Sequence, residues 1–220
     1  MAPYRQYITT QRSQNYYLFI QMYFNPLVDF IIEGIDNRKM ILNTLVRFKH
    51  YCEWFNKEGL IQKFHGKTNV GENTLAKHVY EFLFLDGIQF SIESKSASGR
   101  TDFIVSQTEH RIIADVKIFD CERSKGKSYI IKSFNQVFTY TKDYNETCGY
   151  VVIFKTGIEE LKFNFTTTNS KIPYLCYNNK VIYFLVIDLY VYEESASQRP
   201  KPKVIEISEK ELVEILAEKI

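Results

Sequence analysis

Ser98-Gly99-Arg100-Thr101-Asp102-Phe103-Ile104-Val105, followed after five polar residues by Arg111-Ile112-Ile113-Ala114-Asp115-Val116-Lys117-Ile118-Phe119, decides how this chain is read. The second segment is rich in branched residues, and the polar pair Asp115 and Lys117 interrupts it at spacing two, which predicts a strand. Side chains alternate faces along a strand, so Asp115 and Lys117 point the same way with Cα atoms roughly 6.5 Å apart. Ile112, Ala114, Val116 and Ile118 take the opposite, buried face. A carboxylate and an ammonium on a mostly buried strand are costly unless they pair or bind something. Residues 106–110 form a polar turn of hairpin length, so the segment carrying Asp102 is expected to pair antiparallel with the second. Asp102 and Asp115 then lie at comparable distances from the turn, and their carboxylates can converge. Such a pair suits a hard divalent cation, and the lysine can face a phosphate or the attacking water.

Working outward, residues 72–85 read as a helix stopped by Asp86-Gly87, with Leu75, Val79, Phe82 and Leu83 as its buried stripe. Glu72 lies one turn before Leu75 on that side, where it can reach the same site or simply favour the helix N-terminus. Residues 88–93 alternate as a first strand, which makes Glu93 a second candidate acid. Residues 120–128 are polar and charged and too long for a tight turn. They form a candidate nucleic-acid-facing loop, in which Lys125 and Lys127, with Lys132 beyond it, are candidate phosphate contacts, although a solvated loop reads equally well. A helix over residues 129–144 holds Gln136 and Tyr140 on one face at spacing four. Residues 150–154 and 181–187 are continuous apolar runs, expected as interior strands of a sheet covered on both faces.

These residues resemble the PD-(D/E)XK nucleases, the superfamily with the restriction-endonuclease-like fold. Asp102 matches its first acid and Asp115-Val116-Lys117 its (D/E)XK element; Thr101 stands where the family's nominal proline would be. Gln136-Val137-Phe138-Thr139-Tyr140 matches the QxxxY helix motif of one branch, and Glu72 falls where an accessory glutamate often begins a helix. The resemblance spans residues 68–154, well under half the chain. It implies an α/β restriction-endonuclease-like core with a mixed β-sheet flanked by helices. Its implied activity is that of a metal-dependent endonuclease, with DNA as the favoured substrate. Magnesium, or manganese in its place, is held by Asp102 and Asp115 with Glu72 in support. Lys117 positions the water, Gln136 orients the site, and Arg100, Lys125, Lys127, Lys132 and Tyr140 meet the nucleic acid. Restriction or antiviral defence is the implied setting, with a homodimer or a larger defence complex left open. The competing reading is a catalytically silent nuclease-fold module that binds nucleic acid or protein; RNA cleavage is a third.

The expected organisation is an N-terminal helical region over residues 1–66, a nuclease core over 67–192, a linker over 193–203 and a strand with helix over 204–220. In the first region, residues 14–35 read as helix, break at Pro26, and helix. Residues 38–56 follow as a helix with a stripe of Ile41, Leu45, Phe48, Cys52 and Phe55. Near the other end, Ser208 and Glu211 fit a capping box ahead of Leu212, Ile215 and Leu216. The 220 residues carry a formal net charge of +2, so nucleic-acid binding has to come from local clustering. Four cysteines without a CxxC pair, no signal-peptide pattern and no apolar run near membrane-spanning length point to a cytoplasmic protein with reduced thiols and no membrane partner.

Overall fold

The computed structural model describes residues 15–25, 27, 37–65, 71–88, 103–107, 110–166, 172–192, 197–199 and 201–217. The chain forms two compact units, Met1–Asn43 and Thr44–Ile220. In the first, residues 15–25 are helical, and Asn25 closes a π-turn over Ile20–Phe24 by donating its N–H to the Ile20 carbonyl. The expected break at Pro26 lies outside the described residues. Helix α1 (Asn37–His50) follows, and the division between the units falls within it rather than at residue 66.

The boundary sits that early because Phe48 belongs to the sheet-bearing unit. Its ring lies 5.2 Å from that of Phe82 and 6.2 Å from that of Phe154, centroid to centroid. The helical path continues as a π-turn over Tyr51–Phe55, in which Asn56 N–H bonds to the Tyr51 carbonyl. A π-turn inserts extra rotation, so the expected stripe ends at buried Cys52 and Phe55 turns outward. Helices α2 (Lys57–His65) and α3 (Gly71–Leu85) come next. Leu75, Val79 and Leu83 of α3 are buried as the spacing predicts, joined by Ala76 and Tyr80.

Strands β1 (Phe103–Gln107) and β2 (His110–Phe119) pair antiparallel, Gln107 opposite His110 and Phe103 opposite Ala114. Of the strand expected over residues 88–93, only buried Ile88 is described; residues 89–93, Glu93 included, lie outside the described residues. Helix α4 (Lys127–Asp143) crosses over to β3 (Cys148–Lys155), parallel to β2. Its end is fixed by Asn145 at φ 55°: Glu146 N–H reaches the Thr141 carbonyl and Asn145 N–H that of Lys142, a Schellman-type stop. Strand β4 (Glu160–Asn164) leaves the main sheet. Strands β5 (Tyr174–Tyr177) and β6 (Lys180–Asp188) form a hairpin whose two turn residues, Asn178 and Asn179, both have positive φ, the type I′ pattern.

The five-stranded sheet has the order β1-β2-β3-β6-β5, with β2, β3 and β6 mutually parallel and both edges antiparallel. It is a mixed α/β architecture with helices on both faces. Alternation along β3 sorts the layers: Val151 and Ile153 join Phe134, Val137 and Phe138 of α4, while Phe154 meets Phe48 on the other face. A second, two-stranded parallel sheet pairs β4 with β7 (Val204–Ser208), and helix α5 (Glu209–Ala217) follows. Ile207, Leu212 and Leu216 enter the same core cluster as α4 and Phe184, so the strand and helix near the C-terminus complete the main core. The expected capping box is present: Ser208 N–H donates to Glu211 Oε2 at 2.9 Å, and Glu211 N–H to Ser208 Oγ at 3.4 Å. Among the described residues no helix is long and apolar enough to cross a membrane.

Candidate functional site

Asp115 and Lys117 sit on the face of β2 covered by α4, since Asp115 is in register with Val151 and Lys117 with Ile153. The opposite face is buried too, so the strand is covered on both sides. The Asp115 residue is only 2% exposed, and its two oxygens have separate donors. Lys117 Nζ donates to Oδ1 at 2.7 Å, and Ser133 Oγ donates to Oδ2 at 2.7 Å. The spacing-two pair on the strand is therefore a real ion pair, held from the helix side by a hydroxyl that is itself fully buried. A charge-assisted hydrogen bond of this kind is what makes a buried carboxylate tolerable.

Glu72, in the first turn of α3, does not hydrogen-bond to that pair's atoms but to a second set. Its Oε1 accepts from Ile118 N–H at 3.2 Å, a backbone donor of β2 beyond the residues paired with β1. The same oxygen accepts from Lys125 Nζ at 2.9 Å, and the Tyr129 hydroxyl reaches both carboxylate oxygens at 3.0 and 2.8 Å. Tyr129 links the two sets through its ring, whose centroid lies 5.7 Å from Lys117 Nζ and 5.6 Å from Lys125 Nζ.

The loop after β2 is folded back on itself. Asp120 and Lys125 exchange backbone hydrogen bonds of 3.0 and 2.9 Å, and Ser124 adopts φ 59°. Buried Asp120 accepts from the N–H groups of Glu122 and Arg123 and from the Thr156 hydroxyl. Of the lysines expected at phosphates, Lys125 is held by Glu72, and Lys127 bonds Glu211 at 2.5 Å; Lys132 is exposed. The bond from Lys127, with those of Ser208, pulls the Glu211 carboxyl down to about 2. Gln136 and Tyr140 are half-buried on α4, Tyr140 packing on the core cluster. Asp102 and Arg100 lie outside the described residues. Among the described residues no group of three or more His, Cys, Asp or Glu side chains is placed to hold a metal ion.

Sequence reasoning missed Ser133 and Tyr129. A signal existed: Tyr129, Ser133, Gln136 and Tyr140 recur at spacings of four, three and four, one polar stripe along α4. The α4 stripe turns toward the buried acid at Ser133, one turn before the glutamine. Comparison with known proteins finds no matching family model, no matching curated protein and no matching solved structure. What fold and site define is a class: a mixed α/β domain carrying a buried carboxylate–ammonium pair on an interior strand.

Proposed function

We propose that this chain is a metal-dependent nuclease of the PD-(D/E)XK kind, built on a restriction-endonuclease-like core and hydrolysing phosphodiester bonds in DNA. The observation that carries the reading is the Asp115–Lys117 pair, 2.7 Å apart and buried under α4. A second supports it: Phe103, the residue after Asp102, is paired with Ala114, the residue before Asp115. By donor chemistry the residues fit a hard divalent cation. Asp115 keeps an oxygen lone pair beyond each of the two bonds named, and magnesium takes only one or two carboxylates beside water and phosphate oxygens. Asp115 and Asp102 would hold the ion, with Glu72 in support. Bound magnesium or manganese would polarise the phosphate and lower the pKa of its water. Lys117 holds its ammonium beside the acid, where it would position the nucleophile and offset charge developing on the phosphate. Ser133 restrains the acid from the helix. Gln136 would orient the site, and Arg100, Lys125, Lys127, Lys132 and Tyr140 would meet the nucleic acid. Restriction or antiviral defence in the cytoplasm is the setting that accompanies this reading.

The test is incubation with plasmid, linear and single-stranded DNA and with RNA, with and without magnesium or manganese, beside calorimetric titration of manganese. Metal-dependent cleavage of DNA lost in Asp115→Asn and Asp102→Asn, together with weakened manganese binding, is expected. Cleavage of RNA alone would move the substrate class. Binding of nucleic acid without cleavage under any metal would make the chain a silent nuclease-fold module.

A further inference from the structure

We propose that Tyr129 is the residue that sorts the two lysines of the site, keeping Lys117 on Asp115 and Lys125 on Glu72. The catalytic consequence rests on the nuclease reading above; the sorting itself does not. Two ammonium groups and two carboxylates on neighbouring elements can pair in more than one way, and a lysine head on a four-carbon stem has little geometric preference of its own. Tyr129 removes the ambiguity with its two ends. The hydroxyl reaches both oxygens of Glu72, which also receives Ile118 N–H, so that carboxylate is fixed at the end of the strand beside Lys125. The ring lies between the ammoniums, at 5.7 Å from Lys117 and 5.6 Å from Lys125, within the roughly 6 Å over which a ring face attracts a cation. Each lysine thus has a carboxylate on one side and the shared ring on the other. Tyr129 stands one helical turn before Ser133, which holds the far oxygen of Asp115, so a single face of α4 fixes both the acid and its ammonium.

For a hydrolytic site the point of such sorting is that Lys117 is already in place before substrate arrives, which lowers the reorganisation needed in the chemical step. Tyr129 is on this account a positioning residue, acting through Lys117. The experiment compares Tyr129→Leu and Tyr129→Met, which remove the ring, with Tyr129→Phe, which restores it without the hydroxyl. Single-turnover cleavage is expected to fall at least tenfold in the ring-free variants with DNA affinity changed less than threefold. Tyr129→Phe is expected to recover at least fivefold of that loss. In parallel, lysine ε-carbon and proton resonances, assigned with Lys117→Arg and Lys125→Arg, should move in the Leu and Met variants as the ring current is lost, and move far less in Phe. Unmoved Lys117 resonances in both ring-free variants, or a Phe variant as impaired as Leu, would overturn the proposal. A wild-type chain that cleaves nothing would remove the nuclease reading, and the resonances would still decide whether Tyr129 holds Lys117.

Discussion

Replacing Lys117 by methionine keeps the length of the side chain and removes the charge, so its cost can be worked from the contacts around Asp115. The carboxylate keeps the Ser133 hydroxyl on Oδ2 and loses the 2.7 Å ammonium on Oδ1. Breaking one partner out of a buried ion pair costs about 3–5 kcal/mol, because the remaining charge is left in a poor solvent. The Lys117 side chain is 13% exposed against 3% for Asp115, so water can partly replace the ammonium, which favours the lower end, about 3 kcal/mol. For a folding unit of this size that corresponds to a fall in Tm of roughly 6–12 °C. Urea denaturation and calorimetry measure it directly. Asp115→Asn alone strands the lysine instead, while the double variant leaves no buried charge. The double variant should therefore be more stable than the sum of the singles by about 2–3 kcal/mol. Below every transition, single-turnover cleavage by Lys117→Met should fall by about a hundredfold, near 3 kcal/mol of lost transition-state stabilisation, with DNA affinity nearly unchanged. A Lys117→Met protein within about 1 kcal/mol of wild type, with additive single effects, would refute the buried pair, since neither outcome is compatible with an uncompensated carboxylate.

Two further outcomes follow from contacts elsewhere. Gly149 of β3 faces α4 so closely that an alanine Cβ would come within 2.9 Å of Thr141 Cγ2 and nearer still to Val137 Cγ1; Gly149→Ala should lower the urea midpoint by an equivalent of about 1–3 kcal/mol, and an unchanged midpoint would contradict the packing. The Glu211 carboxyl is lowered from its usual 4.5 to about 2, chiefly by the bond from Lys127. Its contribution is present above pH 4.5 and lost as pH falls toward 2. The stability difference between wild type and Glu211→Gln, at most about 1 kcal/mol for so exposed a pair, should therefore shrink across that window in calorimetric scans, whereas a constant difference would remove the ion pair as its cause.

Some of this was readable in the residues and some was not, for identifiable reasons. β2 announced itself because a polar pair at spacing two in a branched apolar run matches the alternation of a strand and not the stripe of a helix. β3 and β6 did so because a strand buried on both faces is continuously apolar. The capping box at Ser208 was legible because its chemistry is confined to four consecutive residues. β4 was not: Glu160-Leu161-Lys162-Phe163-Asn164 is short and alternating, and its partner β7 lies some forty residues away, chosen by where Phe163 can stack on Phe184 at 4.6 Å. Spacing likewise placed Lys125 and Lys127 near one another but not against Glu72 and Glu211, because the choice of ion-pair partner is made by the fold around it. Ser133 was overlooked for the opposite reason: one hydroxyl in a helix carries almost no pattern of its own.

The pairing of β4 with β7 has a consequence for synthesis. β4 leaves the ribosome well ahead of the strand it needs, and Ile207, Leu212 and Leu216 are absent from the nascent core for all of that interval. At about 5–20 residues per second the forty-residue lag lasts about 2–8 seconds, long compared with the time in which a hairpin or helix forms. During it, Phe163, Phe165 and Phe184 wait with one side unsealed, the period in which a chaperone or a second nascent chain has access to them.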